Sequence, residues 1–342
     1  ARKWRSGLLV YLKSIQSPNM AIQDATESTS SVVSELKKQS SDGTNIIKEY
    51  KDIFSKEKSS GSDLKTDKIA DEAAALALLK EFIEEKKQSI VKEDKREKWD
   101  FQSSPHAHFG KTLDDTYMAF LSWAKVKQDK SKVNVSKALR RLESYADWMH
   151  DTGTDLTEPA LTSESVKKAV EAWAFNTSVD SEGRLVWWLD MGRVNVAQVK
   201  ADFTPEDHLR AFVWYTHAVM YNDSAQKNGM VFVQNVNKIG MVQCFTLMPA
   251  KLSAKLDRLT IGVLPIKMQC MYMFESPTWI TVFMKIVGVF MSKKMKERIV
   301  FFKDWNEIDK IGGLEAIPKG FGKVKGTLDE SVIEDIYFAE ES

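Results

Sequence analysis

The stretch 264–302, LPIKMQCMYMFESPTWITVFMKIVGVFMSKKMKERIVFF, constrains the fold more than any other. An apolar run over 268–274 ends at Ser276 and Pro277. Beyond it Trp279, Ile280, Phe283, Met284, Val287 and Met291 recur three and four apart, which predicts a helix, and a second apolar run covers 299–302. The order strand, crossover helix, strand is the connection that a parallel pair requires. The helix is apolar around most of its circumference, and Lys285 is its only charge before Lys293. Such a helix is buried, lies in lipid, or covers a cavity that is at times filled with lipid. Directly after it come Lys293, Lys294, Lys296 and Arg298, with Glu297 as the one acid among them. An oily cover beside a basic patch suits docking to a membrane surface.

The rest of the chain must supply what this unit packs on. With 342 residues, 43% of them hydrophobic, one large domain and an appendage are expected. A formal net charge of +1 argues against a nucleic-acid binder, whose basic excess would mark the whole domain. Cys244 and Cys270 sit in apolar surroundings without metal-ligand spacing, so they read as buried free thiols in a reducing compartment. No uncharged apolar run reaches the length of a membrane span, and the chain is expected to be soluble or peripheral.

Taken in order, residues 1–66 read as a basic start followed by a flexible linker. Arg2, Lys3, Arg5 and Lys13 precede the first acid, Asp24, and Trp4, Leu8, Leu9, Tyr11 and Leu12 form a short apolar stripe. An interfacial anchor, the tail of an organelle-targeting segment and a frayed basic end all fit this pattern. Residues 24–66 are rich in Ser, Thr, Lys and Asp, with at most a short helix over 46–54. Residues 67–153 read as a helical subdomain. Leu76, Leu79, Ile83 and Ile90 mark a first helix whose apolar seam, interrupted by Lys86, implies a partner helix in the same chain. A second helix, capped by Asp114 or Asp115, carries Tyr117, Phe120 and Leu121; a third carries Val135, Ala138, Leu142, Tyr145 and Met149. His106 and His108 between them have no neighbouring Cys or carboxylate, so a metal site is not expected there.

Residues 154–323 alternate helix and strand. A helix is expected over 163–175, then the turn Asp180-Ser181-Glu182-Gly183-Arg184, a strand LVWWLDM, a long helix over 205–221, and a strand from Gly229 to Val233. Residues 324–342 form an acidic tail. Several of these segments resemble the CRAL-TRIO lipid-binding family. Asp180 to Arg184 is similar to the family's D-x-x-G-R-P-V opening, with Leu185 in place of Pro, and Asn235 stands where the second strand normally ends in Asp. Leu264-Pro265-x-Lys267 resembles aromatic-Pro-x-basic, Ser276-Pro277 resembles Ala-Pro, Phe290-Met291 resembles Phe-Leu, and Arg298-Ile299 resembles Lys-Ile. The end, Ile317-Pro318-Lys319-Gly320-Phe321-Gly322, is similar to the family's Leu-Pro-x-Glu-aromatic-Gly. The likeness covers about 112–323.

The resemblance implies an α/β fold: a helical N-terminal subdomain, then a mixed-sheet domain whose hydrophobic pocket is gated by a helix over 278–294. It implies binding of one amphiphile, with phosphoinositides, phosphatidylcholine, tocopherol and retinoids among the family's ligands, and exchange of that lipid during transient contact with membranes. Candidate pocket residues are Trp187, Leu189, Val231, Val233, Cys270, Tyr272, Phe274, Trp279, Phe283, Met284, Val287 and Phe290, with Arg298 for a phosphate and Lys293, Lys294 and Lys296 for docking. Ile266 occupies the position at which phosphatidylinositol binders of the family carry an acid, so a neutral or less polar lipid is expected. His150, His208 and His217 are scattered, no G-x-S-x-G surrounds Ser276 and no phosphate-cradling glycine loop appears, so neither an enzyme nor a cofactor is expected. An interaction module with a vestigial pocket, with a protein partner on the first helix, is the alternative. The expected location is the cytoplasm, peripheral at membranes, or an organelle lumen or stroma if a targeting segment is removed.

Overall fold

The structure, a computed structural model, describes residues 34, 48, 51–52, 68–90, 98–99, 109–126, 129, 131–153, 156, 159–173, 175–237, 239–288, 291, 293–310, 317–318 and 321. The expectations for residues 1–23, for His106 and His108, and for the tail 324–342 lie outside these residues.

A two-residue antiparallel pair, β1 (Lys68–Ile69) with β2 (Val133–Asn134), ties together three helices. Helix α1 (Glu72–Ser89) starts at Asp71, whose carboxylate accepts from the Ala74 amide at 2.8 Å, and carries Lys86 and Lys87 in its last turn, as the helix dipole favours. Helix α2 (Leu113–Trp123) is capped by Thr112, and Asp115 closes the capping box by accepting from the Thr112 amide at 2.8 Å. The acid expected at the cap thus sits three residues inside it. Helix α3 (Val135–Trp148) continues as a π-turn through Gly153. Helix α1 buries Ala75, Leu79 and Ile83 against α2 and α3, so its partner is intramolecular. Lys86, which breaks the apolar seam, faces Glu143 at 3.5 Å.

Helix α4 (Ser163–Ala172) ends three residues earlier than its spacing suggests. The chain then forms strand β3 (Phe175–Val179), which hairpins antiparallel to β4 (Leu185–Asp190). In the turn between them the Asp180 carboxylate accepts from the Glu182 and Arg184 amides and, at 2.7 Å, from Arg184 Nε. Gly183 has a φ of 72°, which strains any L side chain, and a Cβ there would also displace Asn228 Nδ2, 2.8 Å away. Helices α5 (Val196–Asp202), α6 (Pro205–Tyr221) and α7 (Asp223–Asn228) follow, then β5 (Met230–Asn235), α8 (Met241–Leu247), α9 (Ala250–Arg258) and a π-turn over Leu259–Val263. The chain continues through β6 (Met268–Phe274), α10 (Thr278–Gly288), α11 (Lys293–Glu297) and β7 (Ile299–Phe302). The long α6 has the expected bounds because Thr204 and Asp207 make a capping box around Pro205 at the first helical position.

The large sheet has the order β3-β4-β5-β6-β7, with β3 antiparallel and every other pairing parallel. The fold is therefore mixed α/β, with a helical subdomain on its N-terminal side. Two cations join the two parts. Arg141 on α3 donates through Nη2 to the carbonyls of Ile261 (2.9 Å) and Leu264 (2.8 Å), with its guanidinium 4.8 Å from the Trp123 ring, and Lys267 Nζ donates to the Ser122 carbonyl at 2.9 Å.

Because side chains alternate along a strand, the register divides the sheet into two apolar faces. On one face Thr177, Trp187, Phe232, Met271 and Ile299 form one row across all five strands, and Leu189 and Met273 belong to the next. These apolar side chains pack in or against the main core with the aromatics of α6. On the other face Val186, Trp188, Val231, Val233, Phe274 and Phe302 form a separate core with Trp305, Ile308, Ile317 and Phe321.

Candidate functional site

The unit around which the chain was read, β6-α10-β7, forms as expected, and its two strands are parallel neighbours. The cover is shorter than its sequence suggests. One helix over 278–294 was expected; α10 stops at Gly288 and the lysines lie on a separate helix, α11. After α10 the Met291 amide donates to the Gly288 carbonyl at 3.2 Å, a three-residue spacing that departs from the α-helical one.

Helix α10 lies on the face that carries Trp187 and Phe232. Its Ile280 belongs to the main core, with Trp279 and Met284 packed against it, and none of its described side chains joins the core of the opposite face. Its other side makes a small core with α8 and α9: Val282 packs with Phe245, Ala250, Ala254 and Met291, and the Phe245 and Phe283 rings are 6.1 Å apart. The Trp279 indole donates to the Ile239 carbonyl at 3.0 Å, which pins the start of α10. Burial along this face is incomplete. Met271 and Ile299 are half-buried, Phe301 on the same face is 40% exposed, and Trp279, Phe283 and Met284 are themselves only half-buried.

This geometry splits the candidate pocket residues. Trp187 and Leu189 share a face with Trp279 and Met284, while Phe283 packs in the neighbouring small core. Val231, Val233, Cys270, Tyr272 and Phe274 project to the other face, so a single pocket under α10 cannot be lined by both groups. Phe274 is plain core there, stacked on Trp305 with ring centroids 4.2 Å apart, and Val231 and Val233 are fully buried. The residues that sequence reasoning missed are Phe232, Met271, Met273 and Ile299. The signal was present: once Trp187 is placed, alternation and register assign them. A register shift between Met230 and Val231 lets Met268 and Met271 both reach this face despite their odd spacing. The Val287 side chain and Phe290 lie outside the described residues.

Ile266 is buried in the main core and offers no acceptor. Arg298 is half-buried where α11 meets β7, and its carbonyl accepts from the Met271 amide at 2.8 Å. Lys293, Lys294 and Lys296 are exposed, and Lys293 lies 3.8 Å from Glu297 in a surface pair that adds little. Both cysteines are free and half-buried; burial pushes the Cys244 thiol up to about 11. Burial and the neighbouring Cys270 push the Tyr272 hydroxyl up to about 12.

His208 and His217 serve packing. His217 is fully buried, with Nδ1 2.7 Å from the Val213 carbonyl and Nε2 3.2 Å from the Tyr145 hydroxyl, and burial lowers it to about 4. His208 Nδ1 accepts from the Trp173 indole at 2.9 Å, and burial lowers it too. Among the described residues no three His, Cys, Asp or Glu side chains are grouped to hold a metal, and no helix is long and apolar enough to cross a membrane.

A solved crystal structure of Sfh5 is similar over 57% of this chain and 69% of its own length, at 12% identity and a TM-score of 0.40. The family model described as the CRAL/TRIO domain matches residues 173–322, which begin beside β3 and take in the whole five-stranded sheet, α10, and Ile317 and Phe321 of the opposite-face core. Residues 173–322 are thus similar to the CRAL/TRIO domain, the type member of a family of lipid-binding domains.

Proposed function

We propose that the protein binds one amphiphilic or hydrophobic lipid between α10 and the sheet face of Trp187, Leu189, Phe232, Met271, Met273 and Ile299, and presents it at membrane surfaces. The observation that carries this reading is the incomplete burial on both sides of that seam: apolar side chains of α10 and of β6 and β7 stay partly exposed where a closed core would bury them. Each buried methylene contributes about 0.8 kcal/mol, so a chain of a dozen carbons supplies roughly 10 kcal/mol before ordering costs. No catalytic group or cofactor is needed for this work. The exposed lysines of α11, next to the cover, would attract an anionic bilayer and bring the seam to the surface from which lipid is taken. We place the protein in the cytoplasm, peripheral to membranes, with an organelle lumen or stroma as the alternative.

A buried inositol hydroxyl at Ile266 would find no acceptor, which favours a sterol, isoprenoid, fatty acid or phosphatidylcholine-like ligand over phosphatidylinositol. Native mass spectrometry of the purified protein, followed by lipid extraction, tests the reading. One amphiphile per chain is expected. Bare polypeptide from several expression hosts would leave the alternative, an interaction module with a vestigial pocket.

A further inference from the structure

We propose that Thr177 Oγ1 and Trp187 Nε1 form a polar anchor at the closed end of the lipid site, where they hold one neutral oxygen, a hydroxyl or a carbonyl, of the bound amphiphile. The inference rests on the lipid-binding reading and specifies the ligand it takes.

Thr177 and Trp187 are directly opposed in the β3-β4 hairpin and lie on the face covered by α6 and α10. Thr177 is 0% and Trp187 4% exposed, and neither polar atom has a hydrogen-bond partner among the described residues. Buried donors and hydroxyls are nearly always paired, so two orphans side by side call for a shared partner. Three polar groups close by do have partners. On the opposite face of the same hairpin the Trp188 indole donates to Ser178 Oγ at 2.8 Å. Nearby, Trp173 donates to His208 and Thr216 donates to the Val213 carbonyl at 2.9 Å.

The surroundings define the partner. Trp187 stacks on Phe232 with ring centroids 4.7 Å apart, and Phe232 is the next residue along the row toward Met271 and Ile299 under α10. Tyr215 lies 4.5 Å from Trp187 on its α6 side, and Phe175 and Phe212 complete an aromatic wall. An indole N–H donates only, and a threonine hydroxyl both donates and accepts. Together they complete an oxygen that accepts twice, or accepts once and donates once. The aromatic wall brings no positive charge, so a phosphate there would be desolvated without compensation. The amphiphile accordingly enters with its oxygen leading, and its hydrocarbon extends along the row toward β7.

The experiment uses the delipidated full chain, reloaded with hexadecan-1-ol or hexadecane at matched concentration and read by native mass spectrometry. The variants are Thr177→Val, close to isosteric, and Trp187→Phe, each checked for folding by its thermal midpoint. Wild type should retain the alcohol at least tenfold better than the alkane; Thr177→Val and Trp187→Phe should each shrink that ratio severalfold with alkane uptake kept. An alcohol-to-alkane ratio unchanged in both variants would mean that the two groups hold only a water, which overturns the anchor and leaves the lipid site standing. Uptake of neither probe by wild type would overturn the lipid site and the anchor with it.

Discussion

Asn235 Nδ2 donates to Asp190 Oδ1 at 2.7 Å and so joins the ends of two parallel strands at a point where both residues are buried. The same carboxylate oxygen accepts from the Gly192 amide at 3.0 Å, and Asn235 Oδ1 accepts from the Asn237 amide at 3.2 Å. An amide at this position lets one strand end donate to the other.

Asn235→Asp, which would restore the residue usual in the resemblance, should therefore destabilise this chain. Two carboxylates in buried contact cost about 2–4 kcal/mol at neutral pH. Below pH 5 the pair takes up a proton that the unfolded chain does not yet hold, so the deficit should shrink as pH falls. Urea unfolding of wild type and variant at pH 7 and pH 4.5 checks this; an equal difference at both values would contradict it.

His217 predicts the opposite slope in wild type. Its folded value of about 4 lies below the ordinary 6.5, so between these pH values the unfolded state binds more protons than the native one. Its stabilisation is complete above pH 6.5 and is lost as pH falls toward 4, about 3 kcal/mol in all. His208 is lowered by burial as well and adds in the same direction. Unfolding midpoints from pH 7.5 to 4 should fall accordingly, and less steeply for His217→Gln. A flat wild-type profile would contradict the buried neutral imidazole.

The docking patch gives a third prediction. Each exposed lysine near an anionic surface contributes about 1 kcal/mol, so replacing Lys293, Lys294 and Lys296 by Glu should weaken binding to phosphatidylserine vesicles roughly 100-fold or more at low salt. Cosedimentation at 20 mM and 300 mM salt measures it. Equal binding by variant and wild type at low salt would remove α11 from the docking mechanism.

The sequence made some elements plain and hid others for identifiable reasons. Helix α6 was legible to the residue because Thr204, Pro205 and Asp207 announce its start. Strand β6 and the crossover were legible from apolar runs bounded by Ser276 and Pro277. Strand β3 was not, since Phe175-Asn-Thr-Ser-Val has a weak apolar signal and Trp173 and Phe175 extend the spacing of the preceding helix. It becomes a strand through its partner β4, a tertiary effect. The split of the pocket list had another cause. All six residues of β4 are buried, so composition does not tell its faces apart. Only the register separates Trp187 from Trp188 and Phe232 from Val233.

Photo-labelling tells the two faces of the sheet apart. The full chain is loaded with a palmitic acid, or a phosphatidylcholine, carrying a diazirine in mid-chain, then irradiated and mapped by peptide mass spectrometry. Labels are expected on Phe232, Met271, Met273 or Ile299 and on Trp279 or Met284 of α10. Labels concentrated on Val231, Val233, Tyr272 or Phe274 would contradict a lipid site under α10, because those residues line the face that Trp305 and Phe321 close.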